Sequence, residues 1–151
     1  MNTFVRRAIH GDVDALQLLE SEMRQQLARF RGGDRLDSEM SFAESDWVGR
    51  IESDRWKVFV AGFDGVPLGY LCLDLATENG VPLIANVFVT VEVRQLGLGD
   101  SLVGAAIESC QRVGATAVDA YALPGDRETK NLFERSGLTA RLLIASKRLA
   151  D

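Results

Sequence analysis

The stretch from Val87 to Ile107 reads VFVTVEV, then RQLGLG, then DSLVGAAI, and it decides the fold of the chain. Its first part is rich in β-branched residues, as a buried strand is, and its last part has helical spacing. Gly97 and Gly99 stand where the pattern changes, and Arg94 opens the loop. Such a unit leaves free backbone N–H groups at a helix N-terminus, where anions and above all phosphates bind. The sequence therefore predicts a phosphate-binding loop at 94–99.

Two well-known phosphate loops do not fit this stretch. The dinucleotide fingerprint needs a third glycine where Leu102 stands, and the nucleoside-triphosphate loop needs Gly-Lys-Ser/Thr, which is absent. Glycines between a strand and a helix also occur in ordinary turns, so the loop alone leaves that alternative open.

Residues 94–99, Arg-Gln-Leu-Gly-Leu-Gly, resemble the Arg/Gln-x-x-Gly-x-Gly/Ala signature of the GNAT superfamily, the acyl-CoA-dependent N-acyltransferases. In that family the loop wraps the cofactor pyrophosphate, so the resemblance implies acetyl-CoA (coenzyme A) as the cofactor. Residues 126–138 are similar to the second family signature, Asn-x-x-Ala-x-x-Leu-Tyr-Glu-Lys-x-Gly-Phe. Asp126 stands in the place of its asparagine and Phe133 in the place of its tyrosine. The resemblance spans essentially the whole chain in family order.

The resemblance assigns cofactor binding to the end of the central strand, the loop and the last helix. The residues it implies are Phe88, Val89, Thr90, Arg94, Gln95, Leu96, Gly97, Leu98, Gly99, Asp100, Asp126, Asn131 and Phe133. Asp100 departs from the expected chemistry, because a carboxylate in the first helical turn opposes a bound pyrophosphate unless its side chain points aside.

Composition narrows the class of protein. A chain of 151 residues suits one domain, here 1–151, and 46% hydrophobic with 26% charged residues is ordinary for a globular protein. A net charge of −5 argues against nucleic acid as a partner. No apolar run is long enough to cross a membrane and no signal-peptide pattern opens the chain, so we expect a cytoplasmic protein. One histidine and two separated cysteines make a metal site improbable.

Periodicity and turn residues predict a mixed α/β fold. The expected order is a strand at 3–9, a helix after Asp12, a polar loop at 31–41, a hairpin of 56–63 and 66–75, a strand at 83–89, a helix at 99–113, a strand at 116–122, a helix at 127–136 and a final strand at 138–149. The strand at 116–122 must run parallel to 83–89, because a helix crosses between them. The resemblance implies a single-domain GNAT-like fold: a central, mostly antiparallel sheet with helices on both faces and a parallel strand pair splayed around the acyl-CoA site.

The resemblance also implies acyl transfer from a thioester to an amine, with a main-chain N–H near Phe88 and Val89 as the oxyanion donor. The amine must lose a proton and the departing thiolate must gain one. Many family members carry a glutamate on the central strand, but Asn86 is the polar residue there and cannot be a base. Asn86 could hold a water that passes a proton to Asp74 or Glu78, and Tyr121 is the phenol nearest by topology to serve as the acid.

The resemblance also implies that the amine acceptor binds near the segment at 31–46. In the family this region helps to form the acceptor site, and its carboxylates could attract a cationic amine, although a solvated surface loop would look the same. The carboxylates are Asp34, Asp37, Glu39, Glu44 and Asp46.

Three functions remain open from the sequence. The first is an N-acetyltransferase acting on a primary amine of a small molecule or peptide. The second is a catalytically weak acyl-CoA-binding sensor or regulatory subunit, because the usual glutamate and tyrosine are missing. The third is an unrelated phosphate-binding protein, which would explain the loop but not the second signature. A homodimer is common in such families, and no sequence stripe decides it here.

Overall fold

A computed structural model describes residues 2–40 and 46–150 of the chain, so Glu44 lies outside the described residues. These residues form five strands and five α-helices. The strands are β1 (Thr3–Arg7), β2 (Trp56–Phe63), β3 (Val66–Asp74), β4 (Leu83–Val89) and β5 (Asp119–Ala120). The helices are α1 (Val13–Leu27), α2 (Gly33–Met40), α3 (Trp47–Glu52), α4 (Leu98–Arg112) and α5 (Arg127–Arg135). These elements follow one another in the order β1-α1-α2-α3-β2-β3-β4-α4-β5-α5.

The five strands form one mixed sheet in the order β1-β2-β3-β4-β5. Neighbours are antiparallel up to β4, whereas β4 and β5 are parallel because α4 crosses between them. The hairpin of β2 and β3 turns at Asp64 and Gly65, whose φ values of 50° and 83° give the tight turn that an Asp-Gly pair favours. The predicted mixed, mostly antiparallel sheet is confirmed.

Helices cover both faces of the sheet. On one face α4 and α5 pack against alternate residues of the central strands, among them Leu71 and Leu73. On the other face α1 and α3 pack against the intervening residues, among them Tyr70 and Cys72. Because side chains alternate along a strand, β3 contributes to both cores, and the predicted helices on both faces are confirmed.

An irregularity in β4 opens the sheet. Leu73 of β3 pairs with Ile84 and Cys72 pairs with Asn86, so Ala85 is an extra residue in β4. Beyond this bulge β4 bends away from β5, as bulged strands do. Parallel pairing is therefore limited to Leu83 with Asp119 and Ile84 with Ala120, and the predicted strand 116–122 is reduced to Asp119–Ala120.

Two further predictions of local structure are wrong. The polar segment predicted as a loop contains α2, since Arg24 of α1 holds Asp37 with two hydrogen bonds of 2.9 and 3.0 Å. Gly33 begins α2 at a close approach, because a Cβ there would lie 1.8 Å from the carbonyl oxygen of Leu27. The final strand predicted at 138–149 is not formed, because that segment pairs with no strand of the described chain.

Candidate active site

A cleft of about 710 Å³ lies where β4 and β5 diverge. Its walls come from α1 and α2 on one side and from the β4–α4 loop, the chain after β5, and α5 on the other. Most residues predicted from the sequence to bind or act on substrate meet there. They are Asn86, Phe88, Val89, Arg94, Gln95, Gly97, Leu98, Gly99, Asp100, Tyr121, Asp126 and Asn131.

The loop before α4 is shaped by two residues with left-handed backbone. Gln95 has φ 68° and Gly97 has φ 90°, and α4 begins at Leu98. Since the first N–H groups of a helix have no carbonyl partner within it, the first turn of α4 presents backbone donors to the cleft. A Cβ on Gly97 would meet no atom within 4 Å, so the glycine leaves open space beside these donors. The loop therefore fits a phosphate group.

Gly99 has a different role from Gly97. A Cβ at Gly99 would lie 3.2 and 3.3 Å from the two methyl carbons of Leu132 on α5. The absent side chain thus lets α4 and α5 pack closely, which brings Asp126 and Asn131 to the same cleft. One glycine of the signature keeps the cleft open and the other positions its wall.

Arg94 anchors the loop to the end of β4. Its Nε donates to the carbonyl oxygen of Val89 at 2.9 Å, and its guanidinium lies 5.3 Å from the centre of the Phe88 ring. Its Nη1 also pairs with Glu128 of α5 at 2.6 Å. An incoming phosphate would compete with an exposed carboxylate for this cation.

Asp100, the residue that departs from the expected chemistry, is turned toward α5. Its Oδ1 accepts from Nε of Arg135 at 3.1 Å. Because that guanidinium offsets the charge of the carboxylate, Asp100 is compatible with an anion at the start of α4. The sequence showed the conflict but not its solution, since Arg135 is 35 residues away.

One backbone N–H of β4 faces the opening. Thr90 donates its N–H to the carbonyl of Leu68 on the β3 side, while the carbonyl of Val89 faces Arg94 on the other side. Backbone groups of successive strand residues point to opposite edges, so the N–H of Val89 is directed away from β3. Of the two residues predicted to donate to an oxyanion, Val89 is the one oriented for it.

Asn86 lines the cleft immediately after the bulge. Its Nδ2 donates to the hydroxyl of Tyr70 at 2.9 Å. Within the described part of the chain its Oδ1 is buried without a hydrogen-bond partner, an arrangement that proteins rarely leave without a use. Burial raises the pKa of the Tyr70 hydroxyl well above its usual range, so this partner stays neutral. Tyr70 was missed in the sequence, because nothing local to β3 shows that it contacts Asn86, which is 16 residues away.

Tyr121 follows β5 directly and lines the cleft, with half of its surface exposed. Pairing between β4 and β5 has ended at this point, so the position of Tyr121 depends on how the two strands diverge. The wall of the cleft formed by α1 and α2 lies close to this segment, since a Cβ on Gly32, ahead of α2, would lie 3.7 Å from the side chain of Leu123.

Four predicted site residues lie outside the cleft lining. Leu96 is exposed on the outer side of the loop, and Phe133 is buried between α5 and α4, where it packs as an apolar residue. Thr90 donates its hydroxyl to the carboxylate of Glu22 on α1 at 2.9 Å. The fourth is Asp74.

Asp74 lies at the other end of β4. Its partner across the ladder is Leu83, three residues before Asn86, or about 10 Å along the strand. Nε and Nη2 of Arg55 donate to the two carboxylate oxygens of Asp74 at 3.0 and 2.9 Å. Burial opposes ionisation of Asp74, but the bonds from Arg55 and from the N–H of Ala76 outweigh it and lower the pKa of the carboxyl. Because its carboxylate is bound by Arg55 and by the N–H of Ala76, Asp74 is a poor base for the predicted relay from Asn86.

The predicted acceptor-side carboxylates are mostly engaged within the chain. Asp37 pairs with Arg24, Glu39 pairs with Arg35, and Asp46 accepts from the N–H of Gly49 at the start of α3. The α1–α2 wall of the cleft is instead largely apolar. It is built by Met23, Leu27, Phe30 and Leu36, with Gln26 beside them.

Two negative findings concern residues 2–40 and 46–150. In them no group of three or more His, Cys, Asp or Glu side chains could hold a metal ion. Nor do these residues form a helix that is long and apolar enough to span a membrane.

Comparisons with known proteins agree with this geometry. The model of the acetyltransferase (GNAT) family matches residues 16–138. No curated protein matches the chain in sequence.

Solved structures share the fold at low identity. A tetramutant of the BH1408 protein from Bacillus halodurans has a TM-score of 0.79 at 13% identity, with 97% of this chain and 99% of that one covered. The aminoglycoside N-acetyltransferase AAC(6')-Iy in complex with CoA has a TM-score of 0.66 at 18% identity, with 97% and 100% covered. The same enzyme in complex with a bisubstrate analogue, CoA-S-monomethyl-acetylneamine, has a TM-score of 0.63 at 17% identity, with 99% and 100% covered.

Proposed function

The chain belongs to the acetyltransferase (GNAT) family, an acyl-CoA-dependent class, and on that premise we propose that it acetylates a primary amine of a small molecule or peptide. The observation that carries the proposal is the cleft itself. It is lined by the start of α4, with its backbone donors, and by Asn86, whose buried Oδ1 has no partner among the described residues. The start of α4, which fits a phosphate, and the polar side chain of Asn86 thus line the same cavity.

Acetyl-CoA supplies a thioester whose carbonyl carbon the amine nitrogen attacks, so that a C–N bond forms, the C–S bond breaks and one proton must pass from the nitrogen toward the sulfur. The cofactor would be held by the first turn of α4, with Arg94 adding charge. Gly97 leaves space for the phosphates beside these donors.

At the reaction point we propose that the N–H of Val89 donates to the oxygen that becomes negative during attack. A preorganised backbone donor needs no rearrangement, so it stabilises that charge effectively. Asn86 accepts a hydrogen bond from the amine, or from a water between them, through its Oδ1. The hydroxyl of Tyr70 holds the amide in the orientation that presents this oxygen.

Tyr121 is our proposed donor to the leaving sulfur. It lines the cleft next to the splay, whereas Phe133 is buried in the core and carries no ionisable group. Asp74 has no part in this proposal, because Arg55 holds it at the start of β4.

We place the acceptor amine against the wall formed by α1 and α2, and this wall favours an amine that carries an apolar group. Apolar side chains of α1 and α2, among them Leu27 and Phe30, line this wall, and the nearby acids Asp37 and Glu39 are paired with arginines of the chain. AAC(6')-Iy is described as an aminoglycoside acetyltransferase. An aminoglycoside is a polycation, and we expect Asp37 and Glu39 to attract it only weakly because both are already paired with arginines.

The test is release of free thiol from acetyl-CoA with a panel of primary amines, including an arylalkylamine, a peptide N-terminus, a polyamine and an aminoglycoside. We expect turnover with the apolar amines, and loss of turnover with retained CoA binding in Asn86→Leu. Binding without turnover across the panel would favour the sensor function. Preference for the aminoglycoside would contradict the acceptor assignment.

Location and assembly are also proposals. A cytoplasmic location is supported by two free thiols, Cys72 and Cys110, both buried. Burial raises the pKa of the Cys72 thiol to about 12, so it is a packing residue and not a nucleophile. Association of two copies, which the family resemblance implies, stays a prediction.

A further inference from the structure

The carboxylate of Glu22 on α1 binds the chain at the end of β4. The hydroxyl of Thr90 donates to it and lies 2.9 Å from each of its two oxygens. Its Oε1 also accepts from the N–H of Val91 at 3.3 Å. Because an ionised acceptor strengthens a hydrogen bond, this contact ties α1 firmly to two consecutive residues that follow Val89 directly.

The same carboxylate lies beside the wall of the cleft formed by α1 and α2. Met23 and Gln26 line the cleft, and they follow Glu22 by one and four residues. Residues four apart share one face of a helix, so Glu22 and Gln26 are neighbours on α1. Among the described residues, Glu22 is not one of those that line the cleft, so it acts through the residues that it holds in place.

Other hydrogen bonds hold the end of β4 from its remaining sides. The N–H of Thr90 donates to the carbonyl of Leu68 at 2.9 Å, and Arg94 donates to the carbonyl of Val89 at 2.9 Å. These bonds fix the strand against β3 and against the loop before α4, but they do not reach α1. Apolar packing of α1 on the sheet has no directional preference, whereas the hydrogen bonds of Glu22 do. The contact of Glu22 therefore sets where α1 lies relative to Val89.

We propose that Glu22 is a positioning residue for acetyl transfer, which holds the wall formed by α1 and α2 at the distance from Val89 that brings a bound amine to the thioester. The inference rests on the proposed function, which places the amine against that wall and the reacting oxygen at the N–H of Val89. Attack needs the two reacting atoms about 3–3.5 Å apart, and a misplacement of about 1 Å can cost roughly 100-fold in rate. Loss of the contact should therefore lower turnover more than it weakens the binding of either substrate.

The experiment measures thiol release from acetyl-CoA with phenethylamine as the acceptor, in the wild type, Glu22→Ala and Glu22→Gln. We expect the kcat of Glu22→Ala to fall about 30-fold, while the KM for the amine changes less than about threefold because the apolar wall is intact. Glu22→Gln should keep kcat within about threefold of the wild type, because its amide oxygen still accepts from Thr90 and Val91. Gln25→Ala is the matched control, since it removes an exposed polar side chain from the same helix, and it should behave as the wild type.

A double variant tests whether Glu22 acts through Thr90. Thr90→Val removes the hydroxyl and keeps the shape of the side chain, so its kcat should also fall. Glu22→Ala combined with Thr90→Val should cost no more than Glu22→Ala alone, because both substitutions remove the same contact. Calorimetric titration should give a CoA affinity within about twofold of the wild type in every variant, and circular dichroism checks that each variant folds.

Three results would overturn the inference and leave the proposed function intact. They are an unchanged kcat in Glu22→Ala, additive losses in the double variant, and a loss in Glu22→Gln as large as that in Glu22→Ala. The last result would mean that the charge of the carboxylate, and not the position it sets, supports turnover. A wild type that does not turn over phenethylamine would instead contradict the acceptor assignment, and the inference would fall with it.

Discussion

The two ends of β4 differ in how their polar groups are satisfied. At the start, Leu83 and Ile84 pair with β5, and the nearby carboxylate of Asp74 forms an ion pair with Arg55. At the end, past the bulge at Ala85, the strand has lost β5 and its polar groups face a cleft. The same strand thus has a closed end that holds the sheet together and an open end where ligands can bind.

The difference follows from one extra residue. Without the bulge, parallel pairing with β5 would continue and would use the backbone groups that now face the opening. Among the described residues the Oδ1 of Asn86 at the open end has no hydrogen-bond partner, and the N–H of Val89 is directed away from β3. Substitutions at the open end should therefore change binding and turnover, and substitutions at the closed end should change stability.

The largest effect is expected at Gly97. Gly97→Glu places a carboxylate in the space meant for phosphate, and we expect loss of CoA affinity of about 100-fold or more. Gly80→Glu is the matched control, because Gly80 also has a positive φ, 77°, and open space around its Cβ, but lies in the β3–β4 turn. Both variants carry similar backbone strain, so equal CoA affinity in calorimetric titrations would refute the loop assignment.

A smaller effect is expected at the closed end. Asp74→Asn removes the charge that Arg55 binds and should cost about 2 kcal/mol in the free energy of unfolding, since Asp74 is buried and Arg55 half exposed. Glu39→Gln, in an exposed pair with Arg35, should cost under about 0.5 kcal/mol. Urea unfolding measures both, and CoA affinity should not change in either variant.

The Asp74 contribution has a defined pH dependence. Because the folded state lowers the pKa of Asp74, the contribution is complete above the unfolded value of about 3.9 and is lost as the pH falls through the lower folded value. The stability gap between wild type and Asp74→Asn should close in acid. A gap that persists there would show that packing, not charge, sets the cost.

The smallest effect is expected at Tyr121. Tyr121→Phe should lower turnover about tenfold, less than the roughly hundredfold that a general acid contributes at the low end, because the residue is half exposed. Thiol release at saturating acetyl-CoA measures the effect, and turnover equal to that of the wild type would remove Tyr121 from the chemistry.

The sequence predicted the open end better than its surroundings. The phosphate loop depends on local features, a strand, two glycines and a helix start, and these were recognisable between Arg94 and Asp100. The chain order of strands and helices also followed from periodicity. The family model confirms the resemblance that these residues carried.

Other features depended on distant partners. α2 was predicted as a loop because its stability comes from Arg24 of α1, which local composition does not show. Tyr70 was overlooked because its role depends on the bulge that brings Asn86 opposite Cys72. The expected strand at 138–149 has the residues of a strand but no partner within the described chain, which is why its prediction from periodicity alone was wrong.

The most direct test of the two-ended strand is amide NMR of the isotope-labelled chain during titration with CoA. The backbone amides of Val89, Leu98 and Gly99 should shift, whereas those of Asp74 and Ala76 should not. Shifts confined to the start of β4, or no saturable shift at the start of α4, would contradict the assignment of the cofactor to the open end.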